Sequence, residues 1–309
     1  MASLTVQLAS QFDSRRRKRF YELVGNLLLV SGHPDDAIPN VVYHYTGLAG
    51  LAGILEGNAI WASNYAFLND STENAFALPR ARSFVQSVPA ASKAQKALVA
   101  AILKELEQPP AVLYVASFCL KPDLLSMWRG YGSHATGRFA IGLQIVRGED
   151  EDESRSVLEP RGWRSGKVAY TLAQQKRWTM DRIVDMVADL KDEDAPLILA
   201  LANRCALHVS TSLPFLKMHP FKEEREWRAV RVDPSERAKL DSSRGRLYLE
   251  YRPHWKGSSK QQSKDLPITE IWIGPTPDKF RTKRRVEILL DYFGKKVPIR
   301  VSGIPLQDW

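Results

Sequence analysis

The chain is poor in the features that mark secreted, membrane-spanning and metal-binding proteins. Its 309 residues include two cysteines, Cys119 and Cys205, which lie far apart in apolar surroundings, so neither a disulfide framework nor a zinc site is indicated. No apolar run reaches the roughly 18 residues of a membrane-spanning helix. At the N-terminus the charges follow the mildly apolar stretch, the reverse of a secretory signal. We therefore expect a globular cytoplasmic protein that has no membrane contact.

Several common catalytic motifs are also missing. The chain contains no GxGxxG, no GxxxxGK[ST], no HExxH and no GxSxG. The usual dinucleotide-binding folds, P-loop enzymes, zinc proteases and α/β-hydrolases are therefore disfavoured. We expect no metal cofactor.

Positive charge is abundant. The net charge is +9, and dense basic runs occupy residues 15–19, 161–167 and 279–285. Such a balance favours an acidic partner, most commonly nucleic acid in a protein of this class. Basic runs are equally typical of solvated helix faces, so the charge by itself leaves both interpretations open.

The hydrophobic pattern predicts an α+β protein with a mixed, mostly antiparallel sheet and flanking helices. We expect an N-terminal helical segment over 1–40 and a single α+β domain over 41–309, with a helical insertion near 171–210. The expected helices cover 1–31, 47–58, 73–106, two stretches within 171–210, and 279–294. The expected strands cover 41–46, 59–63, 111–119, 138–145, 166–171, 224–232, 246–252, 269–275 and 297–303.

Two polar groups on the predicted strands are candidates for a site. His44 and Thr46 alternate on the first strand and so share a face, where they could hold a ribose or an amide; a satisfied structural pair is the alternative. Later, Glu224, Glu226 and Arg228 share one face of a strand that turns Trp227 toward the core. A surface ladder of salt bridges would give the same pattern.

A third candidate is the loop MWRGYG at 127–132. Trp128 and Tyr131 suit stacking on a flat ring, and Arg129 suits a phosphate. Both aromatic residues could equally be hydrophobic plugs of the loop.

The order of these motifs resembles a bacterial family. YHYT, ILEGNAIWAS, LND-S-T-E, ASFC, MWRGYG, EREWR, EIWIGP and VSGIP follow one another as in the family filed as domain of unknown function 2971, often met near mobile and defence-linked genes. The resemblance covers residues 41–305. It indicates a family and says little about activity.

A more distant resemblance suggests a chemistry. A strand with H-x-T, a helix of the form I-L-x-x-G, a short strand and a late Glu that opens a strand look like the His-Tyr-Glu ADP-ribosyltransferase superfamily. It implies an ADP-ribosyltransferase-like sheet and NAD as co-substrate. By this resemblance His44 would bind the ribose side of NAD with Thr46 as its neighbour, and Glu226 would be the catalytic glutamate.

The same resemblance leaves other roles open. Tyr65, Trp128 and Tyr131 compete to stack on nicotinamide, Arg129 could clamp the pyrophosphate, and Glu224 could substitute for Glu226 or polarise the acceptor. The expected function is an ADP-ribosyltransferase that modifies a nucleic acid or a protein, as a toxin or anti-phage effector. The alternatives are a non-catalytic nucleotide- or RNA-binding sensor and a metal-independent ribonuclease or phosphotransferase with His44 as acid or base.

Overall fold

The described part of the chain mixes helices with mostly antiparallel strands, which confirms the α+β class. The structure, a computed structural model, describes residues 11–28, 39–68, 72–108, 112–132, 137–145, 163–232, 238–242, 245–252 and 265–305. Parts of four sequence predictions lie outside these ranges: residues 1–10 and 29–31 of the N-terminal helix, residues 69–71 of the motif LND-S-T-E, residue 111 of the strand expected over 111–119, and residues 161–162 of a basic run.

Helices flank the sheet at several points of the chain. They are α1 (Ser14–Leu28), α2 (Leu48–Gly57), α3 (Thr72–Gln86), α4 (Lys93–Glu105), α5 (Leu125–Gly130), α6 (Leu172–Asp189), α7 (Ile198–Ser212) and α8 (Lys279–Tyr292). Short 3₁₀ turns cover Tyr65–Phe67, Asp192–Leu197, Leu213–Phe215 and His219–Glu224. Within the described ranges, none of the helices combines the length and the apolar character needed to cross a bilayer.

The strands form one open sheet. They are β1 (Val41–Gly47), β2 (Ile60–Asn64), β3 (Leu113–Cys119), β4 (Arg138–Gln144), β5 (Trp163–Lys167), β6 (Glu226–Val232), β7 (Lys239–Asp241), β8 (Arg246–Tyr251), β9 (Ile268–Ile273) and β10 (Ile299–Val301). Their order is β10-β9-β4-β1-β3-β2-β8-β7, while β6 pairs with β3 and β5 pairs with β6. The pair β9 and β10 runs parallel and the other ladders run antiparallel.

The sheet divides at β3. Along one edge, β3 pairs with β6 over its whole length, from Leu113 to Cys119. On the other edge, β2 pairs with β3 at Tyr114 and Val115, and β1 pairs with it at Cys119. Between these two pairings, the edge around Ser117 faces a gap between β1 and β2. A gap of this kind leaves backbone groups available to side chains or ligands.

Two hydrophobic cores hold the sheet from opposite faces. Helices α1, α3, α4, α6 and α7 pack on one face with Val115 and Val230. Helices α2 and α8 pack on the other face with Phe139 and Ile141. The predicted helical insertion, α6 and α7, thus forms part of the first core, and α1 joins it through Phe20.

Most predicted elements are confirmed; the main differences are one helix, one strand and one short strand that was not expected. The single helix expected over 73–106 is two helices, because the stretch 87–92 contains Pro89 and ends in Ser92, whose side chain caps α4 with Gln95. The strand expected over 166–171 lies earlier, at β5. The short edge strand β7 was not predicted. Both cysteines are buried thiols, as expected.

Candidate active-site cleft

A cleft of about 640 Å³ lies where the sheet divides, within the size range of pockets for small ligands. Strands β1, β2, β3 and β6 contribute to it, together with the loop after α5 and the segment before β6. Its polar and aromatic lining residues include Tyr43, His44, Tyr45, Trp61, Ser63, Phe67, Ser117, Phe118, Tyr131, Lys217, Phe221, Glu224, Glu226, Arg228 and Arg246. The predicted residues His44, Glu226, Glu224 and Tyr131 all line this cleft, His44 from the sheet face that it shares with Phe118 and Glu226 from the opposite face.

His44 fills the gap beside β3. Its Nδ1 lies 3.0 Å from the carbonyl oxygen of Ser117, and its ring meets the Phe118 ring edge to face at 5.9 Å. Because a carbonyl only accepts, Nδ1 carries the proton in this contact. Burial lowers the pKa of His44, so the ring is neutral at physiological pH and Nε2 keeps a lone pair. His44 can therefore accept a hydrogen bond from a ligand hydroxyl.

Glu226 opens β6 as a buried carboxylate between two cations. The Nζ of Lys217 lies 2.6 Å from Oε1, and Nε of Arg228 lies 2.5 Å from Oε2. All three side chains are buried. Although burial opposes ionisation, Arg228 and Lys217 hold the pKa of Glu226 well below its usual range. The carboxylate is therefore ionised and fixed in orientation.

Glu224 reaches the same group from outside the strand. The expectation that Glu224 lies on the strand is wrong: it ends the 3₁₀ turn His219–Glu224, and β6 begins two residues later. Arg225, between them, has a left-handed backbone with φ of 46°. This conformation, unfavourable for a residue with a Cβ, brings both carboxylates to Lys217, whose Nζ lies 2.5 Å from Oε2 of Glu224. Backbone strain of this kind is often found at functional sites.

The two carboxylates have opposite pKa shifts. Burial, together with the hydrogen bond and charge of Glu226, raises the pKa of Glu224 from 4.5 to about 7, while that of Glu226 is lowered. Two carboxylates whose pKa values are shifted in opposite directions are typical of sites in which one group exchanges a proton and the other stays charged. Near neutral pH, Glu224 can exchange a proton while Glu226 stays ionised.

Lys217 is held in place by its backbone and by an aromatic ring. Its N–H donates to the carbonyl of Ala169 at 3.1 Å, and its own carbonyl accepts from the side-chain amide of Gln175 at 2.9 Å. The ammonium group lies 4.9 Å from the centre of the Phe221 ring, a favourable cation–π distance. Lys217 thus bridges the two carboxylates from a fixed position.

Tyr131 is the aromatic candidate that reaches the cleft. It is half-buried, its ring lies 6.3 Å from that of Tyr45, and it lines the cleft with Glu226. Burial, with the charge of Glu226, raises the pKa of Tyr131 to about 12, so the phenol stays protonated. Its ring offers a surface for a flat heterocycle.

Three other candidates, Trp128, Tyr65 and Arg129, lie outside the cleft lining. Trp128 is 1% exposed in the core, where its Nε1 donates to Asp123 at 2.7 Å, so this ring is a hydrophobic plug. Tyr65 is buried among the helices of the first core, and Arg129 is exposed beside the cleft without lining it.

Thr46 also lies outside the cleft lining. A Cβ added at Gly50 of α2 would lie 1.9 Å from its Oγ1, so the Thr46 side chain packs against the first turn of that helix. The predicted alternation with His44 is present, but Thr46 supports α2 and does not face the ligand space.

Several lining residues were not predicted from the sequence. Lys217 has a weak signal, a single cation within the apolar run LPFLKM. Ser117 acts through its backbone, which no side-chain motif can indicate. Trp61 lies on the short strand β2 and Phe67 in the turn that follows it, and their exposure, 42% and 56%, is unusual for such large apolar rings.

The described residues contain no group of His, Cys, Asp and Glu side chains arranged to hold a metal ion. The donor set of the cleft, two carboxylates already bound to cations, is instead suited to an organic ligand with hydroxyl groups and a flat ring. Comparison of the chain with models of protein families, with curated proteins and with solved structures finds no match.

Proposed function

We propose that the protein is an NAD-dependent ADP-ribosyltransferase that modifies a nucleic acid or a protein. The observation that carries the proposal is the meeting of His44 and the ionised Glu226 in one cleft, although they are far apart in the chain. The order β1, α2, β2 and, later, β6 opening on Glu226 is the order that the ADP-ribosyltransferase-like resemblance implies.

The residues of the cleft fit the parts of NAD by their chemistry. His44 Nε2 can accept from a ribose hydroxyl, and the Tyr131 ring can stack on nicotinamide. The Glu226 carboxylate has lone pairs beyond those in its contacts with Lys217 and Arg228. It can accept a hydrogen bond from a hydroxyl of the other ribose of NAD, the one that carries nicotinamide. The cleft volume of about 640 Å³ is adequate for a ligand held in this way.

The proposed reaction breaks the bond between the ribose anomeric carbon and the nicotinamide nitrogen. Nicotinamide leaves with the bonding electron pair, and the ribose gains oxocarbenium character. Glu226, kept ionised by its cations, stabilises that positive charge. The acceptor nucleophile forms the new bond and loses its proton, which Glu224 can take because its pKa is raised to about 7.

The test is nicotinamide release from NAD, measured with RNA, DNA or protein added. Wild type should release nicotinamide and add mass to one of the acceptors. Glu226→Gln should reduce release by at least about a hundredfold, as loss of a charge-stabilising group does in other enzymes. No release by wild type with any of these acceptors would refute the proposal.

A matched control separates chemistry from folding. Asp194→Asn also removes a buried carboxylate, 5% exposed and paired with Arg19 at 3.1 Å, but Asp194 does not line the cleft. It should keep turnover per folded molecule, with the folded fraction measured by circular dichroism. Equal losses in both variants would indicate that the Glu226 effect comes from unfolding.

Phosphate chemistry is the second candidate, because His44, Lys217 and Arg228 share the cleft. A metal-independent ribonuclease or phosphotransferase would use the cations on a phosphate, and RNA would be shortened or dephosphorylated without NAD. The existing ion pairs oppose this candidate, since a phosphate would have to displace Glu226 from both cations. Saturable ligand binding without any product would instead favour a sensor module.

A further inference from the structure

A surface next to the cleft carries two stacked aromatic rings, an exposed Trp61 and a half-buried Tyr248. Trp61 of β2 and Tyr248 of β8 lie with ring centres 4.1 Å apart and planes 19° from parallel. Trp61 is 42% exposed. Strand register places Trp61 opposite Glu250 and Ser63 opposite Tyr248, so these side chains share one face of the sheet. We call this face, formed by Trp61, Ser63, Tyr248 and Arg246, the aromatic ledge.

The aromatic ledge is continuous with the cleft. Trp61, Ser63 and Arg246 line both. Ser63 pairs with Val115 of β3, and Val115 also lines the cleft. A ligand that occupies the cleft can therefore extend over Trp61 without leaving the same face of the sheet.

The charge around the ledge is weakly positive. Arg246 is exposed, and Lys239 and Arg252 both bind Glu250, at 2.5 and 2.9 Å. Asp241 stands opposite Arg246. Among the described residues around the ledge, three cations stand against two carboxylates, so we expect stacking to contribute more to binding than charge.

We propose that the aromatic ledge binds an unpaired base of a single-stranded nucleic acid, which makes an unpaired nucleotide the acceptor presented to the cleft. The role of the nucleotide as acceptor rests on the proposed function, whereas the binding of a base to the ledge is independent of it. An exposed flat ring stacks on a base face, and a base offers its face only when it is unpaired. The weak positive charge suits the backbone of such a strand without requiring a long basic groove.

The test is direct binding without NAD. Fluorescence anisotropy of labelled oligonucleotides of about ten nucleotides compares single-stranded RNA, single-stranded DNA and the corresponding duplexes at about 0.15 M salt. Wild type should bind a single strand more tightly than a duplex, and the RNA and DNA arms identify the sugar. The salt dependence should be shallow, with a logarithmic slope of about −1 to −2 for one or two phosphate contacts.

Substitutions at the ledge give the critical comparison. Trp61→Ala should weaken single-strand binding by about tenfold or more, Trp61→Phe should retain most of it, and Arg246→Ala should weaken it less than Trp61→Ala. Tyr292→Ala is the matched control, because Tyr292 is 81% exposed on the basic helix α8 and lies outside the cleft lining. Thermal melts check that the variants are folded.

Three results would overturn the inference: no preference of wild type for single strands, unchanged binding after Trp61→Ala in a folded protein, or loss of binding with Tyr292→Ala in place of Trp61→Ala. The outcome is independent of the NAD test. If single-strand binding requires Trp61 but nicotinamide is never released, the ledge proposal is supported and the transferase proposal is refuted. If nicotinamide is released without single-strand binding, the transferase proposal is supported and the ledge proposal is refuted.

Discussion

The ion pairs around Glu226 predict a strong energetic coupling between Glu226 and Arg228. The perturbation is a pair of single variants, Glu226→Gln and Arg228→Met, and their combination. Each single variant leaves one buried charge with too little compensation. The double variant removes both members of the Glu226–Arg228 pair and leaves Lys217 with Glu224, a balanced pair at a pH above 7, where Glu224 is ionised.

The magnitude follows from burial. Glu226 is 5% exposed and Arg228 is 2% exposed, and breaking a buried pair from one side costs about 3 kcal/mol or more. Independent effects would sum to about 6 kcal/mol, on the order of the whole stability of a domain. The double variant should lose about 3 kcal/mol, because no charge is stranded, which gives a coupling free energy of about 3 kcal/mol.

The assay is unfolding by urea at a pH above 7, with the four proteins compared under one condition. A large coupling shows that the carboxylate and guanidinium act as one unit. Additive losses, with a coupling below about 0.5 kcal/mol, would refute the argument that Glu226 depends on Arg228 for its charged state.

Three further predictions concern neighbouring residues. The pKa of Glu224 is raised to about 7, so between pH 4.5 and 7 the folded protein binds one more proton at this group than the unfolded chain does. The stabilisation from Glu224 is therefore complete below pH 4.5 and is lost as the pH rises through 7. The urea midpoint of unfolding should fall across this range, and Glu224→Gln should remove that fall. Arg225→Gly should be more stable than Arg225→Ala by about 1 kcal/mol in thermal melts, because the φ of 46° favours glycine; equal stability would contradict the left-handed backbone. Gly50→Ala should destabilise by about 1–3 kcal/mol, since its Cβ would meet Thr46 Oγ1 at 1.9 Å. In a Thr46→Ala background most of this loss should disappear, because only the contact with the residue-46 Cβ at 3.2 Å remains.

The fold was largely predictable because its elements have strong local patterns. The strand β1, the helix α2 ending at Gly57, and the alternating strand β6 appear where periodicity and turn residues indicate them. The break between α3 and α4 was missed because the sequence on both sides is helix-favouring. The edge strand β7 is three residues long, too short to produce a periodic pattern.

Residue chemistry combined with strand alternation predicts two members of the candidate site, whereas Glu224 and Tyr131, which also line the cleft, were predicted from residue type alone. His44 and Glu226 satisfy both conditions, so the sequence indicates them. Lys217 enters through tertiary structure: the contact of its segment with Ala169 and Gln175 aims it at the carboxylates, and no local pattern carries that information. Trp128 has the composition of a stacking residue and packs in the core instead, because burial depends on the partners that surround the loop.

The arrangement of charges bears on which chemistry the cleft suits. Buried ion pairs contribute little net stability, because desolvation offsets their attraction, so a network that surrounds Glu226 with two cations is poorly explained as a folding device. Its clear effect is to keep a buried carboxylate ionised. A site for phosphate alone would be better served by Lys217 and Arg228 without Glu226. A site that must oppose a developing positive charge needs the carboxylate, and it needs cations to hold that carboxylate ionised in a buried place. On the proposed function, nicotinamide release should therefore depend on the Glu226 carboxylate.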